Sequence, residues 1–346
     1  MHEAMLYEKL DGEKVHCYLC AHHCRIQNGK RGICAVRENK GGTLYTLVYG
    51  YVISQAVDPI EKKPLYHFLP GTTSYSIATP GCNFRCQFCQ NWEISQLPRM
   101  ADIVQASIVP PEQIIAAARR FGCASISYTY TEPTIFFEYA YDICRLAHQQ
   151  GLANVFVTNG FMTRQCLELL GPTEGKRALL DAANVDLKGW SDEFYRHTLG
   201  ARLEPVLESL RLMKRLGIWV EVTTLLIPGM NDNESELREI AEFISKDLGP
   251  ETPWHVTRFH PDFHMDNIPP TPISTLNKAR QIGLDAGLQY VYEGNVPGSE
   301  GSSTTCPGCG CELVSRYGFR VTNNRAATGA CPQCGKPIAG IWSCPA

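Results

Sequence analysis

A chain of 346 residues, 44% hydrophobic and 10% aromatic, has enough apolar material for one large domain with appendages. Its formal net charge of −3 leaves no basic excess to draw it to nucleic acid or to an anionic membrane surface. No run approaches the roughly 18 consecutive apolar residues of a spanning helix, and Met1 to Lys9 lacks the basic and apolar regions of a signal peptide, so a cytoplasmic location is expected.

Cysteine placement is the informative part of this composition. Of the 16 cysteines, eleven fall in three clusters: four near the N-terminus, three near residue 85 and four in the tail. In a long chain without a signal peptide such clusters read as metal ligands in a reducing compartment. Cys123, Cys144, Cys166, Cys311 and Cys344 are left over, and the first three lie in apolar or helical contexts that suit small buried hydrophobes.

Residues 1–71 read as a Cys-rich segment and a β lead-in. Cys17, Cys20, Cys24 and Cys34, spaced C-x2-C-x3-C-x9-C, supply enough ligands for a closed site. Thiolates suit zinc and iron–sulfur clusters alike, so both remain open here, as does a redox-active or purely structural thiol set; His16, His22 or His23 could replace a cysteine, although adjacent His-His fits a solvated turn equally well. Residues 43–70 alternate apolar and polar side chains and then break at Pro59, Pro64 and Pro70, as a strand at one edge of the main domain would.

The second cluster follows a β-prone run, Tyr75 to Ala78, and a Pro-Gly break: Cys82-Asn-Phe-Arg-Cys86-Gln-Phe-Cys89. A four-iron cluster normally takes four thiolates. Three local ones suggest a cluster with one iron left open, as a catalytic metal site keeps an open position; the alternative is zinc borrowing a distant fourth ligand. C-x3-C-x2-C with Phe88 before the last cysteine resembles the signature of the radical S-adenosylmethionine (SAM) superfamily. The wider pattern, from Cys17 to the tail, is similar to the radical enzymes of the AmmeMemoRadiSam system, relatives of the glycyl-radical-enzyme activases. The resemblance implies a [4Fe-4S] cluster on Cys82, Cys86 and Cys89 whose open iron binds SAM. It also implies reductive cleavage of SAM to methionine and a 5′-deoxyadenosyl radical, and hydrogen abstraction from a protein or small-molecule substrate.

From residue 74 strands and helices alternate. Strand candidates are 74–79, 124–130, 153–158, 183–188, 218–226 and 254–259, and helices are expected over 111–121, 134–150, 163–170, 203–216 and 234–248. Gly151, Gly217 and Gly249 fall where helix C-terminal caps belong. The pattern implies βαβ units and a parallel sheet. Six units fit an α/β partial (βα)6 barrel over residues 72–296, the fold the resemblance also implies, although periodicity alone does not separate it from a doubly wound sheet.

Barrel chemistry sits at the C-terminal ends of strands. The second tip, Tyr130-Thr131-Glu132-Pro133, lies where activases carry Gly-Gly-Glu, so the resemblance assigns Glu132 to SAM with both glycines replaced; a helix N-terminal charge favoured by the dipole is the alternative. The third, Val157-Thr158-Asn159-Gly160, has valine where activases carry an aspartate but keeps Thr158 and Asn159 as SAM hydrogen-bonders. At the fourth, period-2 alternation puts Asp186 and Lys188 on one face; the family pair contacts SAM and substrate, and a plain buried ion pair is the alternative. Asn231 or Asp232 at the fifth tip is expected to cap the next helix, and His260 at the sixth matches a family histidine near SAM.

Residues 297–305 read as a flexible linker. Behind it Cys306-Pro-Gly-Cys309-Gly and Cys331-Pro-Gln-Cys334-Gly form the paired knuckles of a zinc-ribbon-like tail over 297–346, with a single rubredoxin-type iron as the alternative. Expected partners are SAM, the unidentified substrate and an electron donor such as flavodoxin or ferredoxin; the resemblance adds Memo-like and AMMECR-like proteins. Competing with these expectations are a true glycyl-radical activase and, from another class, a non-catalytic iron–sulfur and zinc protein serving electron transfer or acting as an adaptor.

Overall fold

Between Ser54 and Gly294 the short strand-forming runs pair side by side into one open sheet. Numbered in chain order, its strands are β1 Ser54–Pro59, β2 Thr73–Ala78, β3 Ser125–Tyr128, β4 Ala153–Thr158, β5 Ala182–Asp186, β6 Trp219–Leu226, β7 Trp254–Arg258 and β8 Val291–Gly294. β1 lies antiparallel at one edge, and the others run parallel in sequence order. The computed structural model describes residues 1–101, 108–173, 175–296, 298 and 300–344; Pro297 and Ser299 of the expected linker lie outside them.

Unbroken sequence order separates the two folds that periodicity left open. A doubly wound sheet reverses its order at a switch point, whereas right-handed crossovers in constant order keep every helix on one face. Tyr75, Ile77, Ile126 and Tyr128 join the apolar core. Ser74, Ser76, Ser125 and Ser127 alternate with them and are buried too, with a Ser74 Oγ–Ser127 Oγ hydrogen bond of 2.6 Å. The covering helices are α1 Pro111–Arg120, α2 Phe137–Gln149, α3 Arg164–Leu170, α4 Glu204–Arg215, α5 Glu234–Phe243 and α6 Ile273–Asp285.

Three expectations are corrected. The parallel strands number seven rather than six, because β8, only four residues long, pairs along β7. α6 was not anticipated, although Leu276, Ala279 and Ile282 form its buried stripe. Asn233, not Asn231 or Asp232, caps α5, accepting from Glu236 N at 2.9 Å; Asn231 is fully buried and holds Ile227 N, Leu225 O and Lys188 O instead.

Two small antiparallel sheets precede β1. One joins His2–Glu3, Thr43–Thr46 and Arg37–Lys40, the other Tyr7–Leu10, Lys14–Cys17 and Cys24–Ile26. Val15, Leu19, Ile26, Val36 and Leu44 merge with the main core. Their seam contains a buried ion pair, Arg37 with Glu138, both 1% exposed.

The tail's sheet, Thr304–Thr305, Glu312–Tyr317 and Arg320–Asn324, shares a second core with Tyr66, Tyr290 and Tyr292. His67 seals this junction: Nδ1 donates to Ala339 O at 2.7 Å and Nε2 shares a hydrogen bond with Tyr292 Oη at 2.6 Å. Burial, partly opposed by Glu221, holds His67 down to about 4. The unfolded ring takes up its proton near 6.5, so between those values the unfolded state binds more protons and stability is lost as the pH is lowered. His67 is expected to remove about 3 kcal/mol of stability between pH 6.5 and pH 4. Thermal unfolding across that window should show a flatter pH slope in His67→Asn than in the wild type; parallel slopes would exclude this contribution.

Candidate active site at the strand tips

The Cys82–Cys89 loop springs from the end of β2 and is held on both sides. Arg85 N and Gln87 N donate to Leu199 O and Thr198 O at 2.8 and 3.2 Å. Phe84 meets Phe161 and Tyr195 edge-on, and Phe88 stacks on Phe194. Gly81 has φ +112°, and a Cβ there would lie 2.8 Å from Val36 Cγ1, so glycine is required by both conformation and space.

Two strand tips meet this loop. Asn159 Nδ2 donates to Asn83 Oδ1 at 2.7 Å and lies 3.9 Å from Cys82 Sγ. The Lys188 ammonium is 2.9 Å from Asp186 Oδ2 and 5.7 Å from the centre of the Phe88 ring. Burial pulls Lys188 down, but the neighbouring Asp186 carboxylate and Cys86 raise it further, so it stays charged. Its backbone is fixed by Tyr195 Oη and Asn231 Nδ2. Sequence reasoning missed these two supports because they come from other elements and form no local motif.

Glu132 is 2% exposed, and both its carboxylate oxygens are occupied. Oε1 accepts from Thr134 N, Thr134 Oγ1 and Thr158 Oγ1 at 3.0, 2.5 and 2.7 Å, and Oε2 accepts from Asn159 N at 2.8 Å. Glu132 therefore caps the following 3-10 turn and at the same time fixes the Thr158–Asn159 tip. Glu132→Ala would strand these donors in the interior, at about 1–3 kcal/mol for each group left unsatisfied. A marked drop in melting temperature is expected, together with weaker SAM binding in a titration; unchanged values for both would remove Glu132 from this role.

Tyr130, in place of an activase glycine, has φ +63°, so the backbone keeps a conformation that glycine adopts more easily. Its hydroxyl donates to Asp58, which also accepts from Lys62 and Lys63 at 2.8 and 2.6 Å. Burial pushes the Asp58 carboxyl up, but these bonds outweigh it and hold it below the usual carboxylate range.

His260 is exposed and lines a cavity of about 370 Å³ whose lining includes neither Asp186 nor Lys188. Gln90, next to Cys89, lines the same cavity with Glu293, Asn295 and, from the tail, Phe319. A larger cavity of about 580 Å³, lined by Ala21, His23 and residues of α3 and α4, contains none of the strand-tip residues.

In the tail, Cys306, Cys309, Cys331 and Cys334 bring their sulfurs within 4.8 Å of one another. The Cys306–Cys334 and Cys309–Cys331 separations are 3.6 and 3.7 Å. Four sulfurs about 2.3 Å from one tetrahedral ion would stand about 3.8 Å apart, so this group can hold one metal ion.

Residues 76–244 match the radical SAM superfamily. This chain belongs to that superfamily. An uncharacterized protein of Methanocaldococcus jannaschii is 49% identical over 340 residues, covering 98% of this chain and 99% of the relative. A pyruvate formate-lyase-activating enzyme of Clostridium pasteurianum is 22% identical over 170 residues, 47% of this chain and 66% of that enzyme. A radical SAM methyltransferase from Sphaerobacter thermophilus shares the fold, with TM-score 0.51, 16% identity and coverage of 66% of this chain and 68% of that one. Among the described residues no helix is long and apolar enough to cross a membrane.

The chain is therefore a radical SAM iron–sulfur enzyme, and its domain implies a [4Fe-4S] cluster and SAM. The cysteine loop fits that cluster. Cys82, Cys86 and Cys89 are free thiols. Asn83 Nδ2 beside them is buried with no hydrogen-bond partner, leaving a donor available to a sulfur-rich group. Burial pushes the Cys86 thiol up to about 12, against the pull of Lys188. Thiolates in such a place need a metal to stabilise them.

Proposed function

We propose that the enzyme cleaves SAM reductively at the Cys82, Cys86 and Cys89 site and abstracts hydrogen from a substrate held in the cavity beside it. The observation that carries this reading is the convergence of the third and fourth tips on the loop: Asn159 Nδ2 at 3.9 Å from Cys82 Sγ and Lys188 Nζ over Phe88. When bound, the cluster and SAM supply a one-electron cleavage that yields methionine and a hydrogen-abstracting 5′-deoxyadenosyl group. The residues supply position. Thr158 and Asn159, oriented by Glu132, offer hydrogen bonds to SAM; the Asp186–Lys188 pair offers one acceptor and one charged donor to SAM and substrate. His260 and Gln90 line the substrate cavity, whose size suits a small molecule or the tip of a larger one. Zinc, held by Cys306, Cys309, Cys331 and Cys334, steadies the tail that forms the cavity's far wall.

The substrate belongs to AmmeMemoRadiSam-type chemistry on this reading, with Memo-like and AMMECR-like proteins as partners and a flavodoxin or ferredoxin as reductant. Likeness to an activating enzyme supports the second reading, a glycyl-radical activase, while Val157 and Tyr130 stand where activases differ. The test is to reconstitute the enzyme anaerobically and follow 5′-deoxyadenosine with SAM, dithionite and each partner. Deuterium appearing in 5′-deoxyadenosine from one labelled partner would identify the substrate. A glycyl EPR signal in an added glycyl-radical enzyme would favour the activase, and absence of SAM cleavage would overturn both.

A further inference from the structure

Cys17, Cys20, Cys24 and Cys34 take no part in the strand-tip site, yet the fold gathers them. Cys17 ends one strand directly across from Cys24 on the next. Cys20 lies in the loop between those strands, within electrostatic reach of Cys17, Cys24 and Cys34, and none of the four is in a disulfide.

Sulfur spacing separates two kinds of centre. The tail group has the separations of a single tetrahedral ion. Among the described residues no other three cysteine, histidine or acidic side chains bring their ligand atoms within 4.8 Å of one another. Neither the N-terminal sulfurs nor those of Cys82, Cys86 and Cys89 therefore form a three-sulfur group as close as the tail's. Thiolates held apart in this way suit a multi-iron cluster, in which each binds a different iron. Arg37, 1% exposed, donates from Nη1 to Cys17 Sγ at 3.0 Å, a hydrogen bond to a ligand sulfur of the kind that tunes such clusters.

Position supplies the second argument. Thr163 Oγ1 and Thr163 N donate to Tyr18 O and Leu19 O at 2.8 and 3.3 Å, tying the first cysteine loop to the segment beyond β4. His22 Nε2 donates to Asn83 O at 2.8 Å, one residue from Cys82. Arg99 Nη2 reaches both loops, donating to Ile33 O at 3.0 Å, beside Cys34, and to Cys82 O at 2.6 Å. One guanidinium thus joins the backbone at a cysteine of each set.

The geometry points to a second iron–sulfur cluster on Cys17, Cys20, Cys24 and Cys34, placed to pass electrons to the strand-tip site; its role, though not its existence, rests on the radical SAM reading. One electron from a protein donor of the flavodoxin or ferredoxin class reduces this cluster. The same electron moves on to the strand-tip cluster, so the donor ends one electron poorer, the N-terminal cluster unchanged, and no bond or proton is altered.

The experiment counts iron, sulfide and zinc in the full-length, anaerobically reconstituted protein and records EPR after reduction. About eight irons and eight sulfides with one zinc, and two signals that broaden each other, are expected. Cys20→Ala/Cys34→Ala should keep about half the iron and lose the broadening. Its strand-tip cluster should still be reduced by dithionite but no longer by the protein donor; undiminished reduction by that donor would overturn the electron-entry role. About four irons with two zincs in the wild type would overturn the second cluster without recourse to any variant. Failure of the radical SAM reading looks different: Cys82→Ala/Cys86→Ala/Cys89→Ala would keep all the wild-type iron while the N-terminal variant lost it.

Discussion

Replacing Cys86 with alanine is expected to remove the strand-tip iron and reduce 5′-deoxyadenosine formation to background, a loss of more than about 10³-fold. Cys86 is 8% exposed and lies within electrostatic reach of Lys188 and Asp186. Two remaining thiolates cannot hold a four-iron cluster with a single open iron. Cys166→Ala is the control. Its thiol is fully buried on α3, outside every cysteine cluster, and its loss should lower stability by a kcal/mol or so while leaving iron and cleavage intact. Cleavage persisting in Cys86→Ala would contradict the proposed site.

Removing the tail metal should produce the second large effect. The tail contributes few apolar side chains to its shared core, chiefly Leu313, Val314, Ala326 and Ile338, and about 40 residues seldom fold on such a basis. A structural metal in a small module contributes roughly 10–16 kcal/mol. Strong chelation, or Cys306→Ala/Cys331→Ala, is therefore expected to unfold the segment from Thr304 onward and uncover Tyr290 and Tyr292. Limited proteolysis would show new cuts confined to the tail. Because Phe319 walls the 370 Å³ cavity, turnover of substrate should fall further than SAM cleavage measured alone. A tail that stays protease-resistant without metal would contradict this.

What the sequence made legible follows from the range of the interactions involved. Cysteine spacing is local chemistry, so all three sets could be read directly. Asp186 and Lys188 needed only period-2 alternation, and they do pair at 2.9 Å. β8 was missed because four residues carry too little pattern and only pairing with β7 makes them a strand. The full engagement of Glu132 was hidden because its partners Thr158 and Asn159 lie on a neighbouring strand. Tyr130 was harder still: a tyrosine gives no local sign of a left-handed backbone, and the bond that secures it runs to Asp58, 72 residues away.

The contact at Gly81 constrains how this protein can diverge. With φ +112° and Val36 Cγ1 2.8 Å from where a side chain would begin, position 81 has no substitute while the N-terminal segment stays docked. A larger residue at 36 would close on the same point. Drift in one loop is therefore checked by the other, and a chimaera that exchanges residues 1–71 between relatives will succeed only if the cysteine loop is exchanged with them.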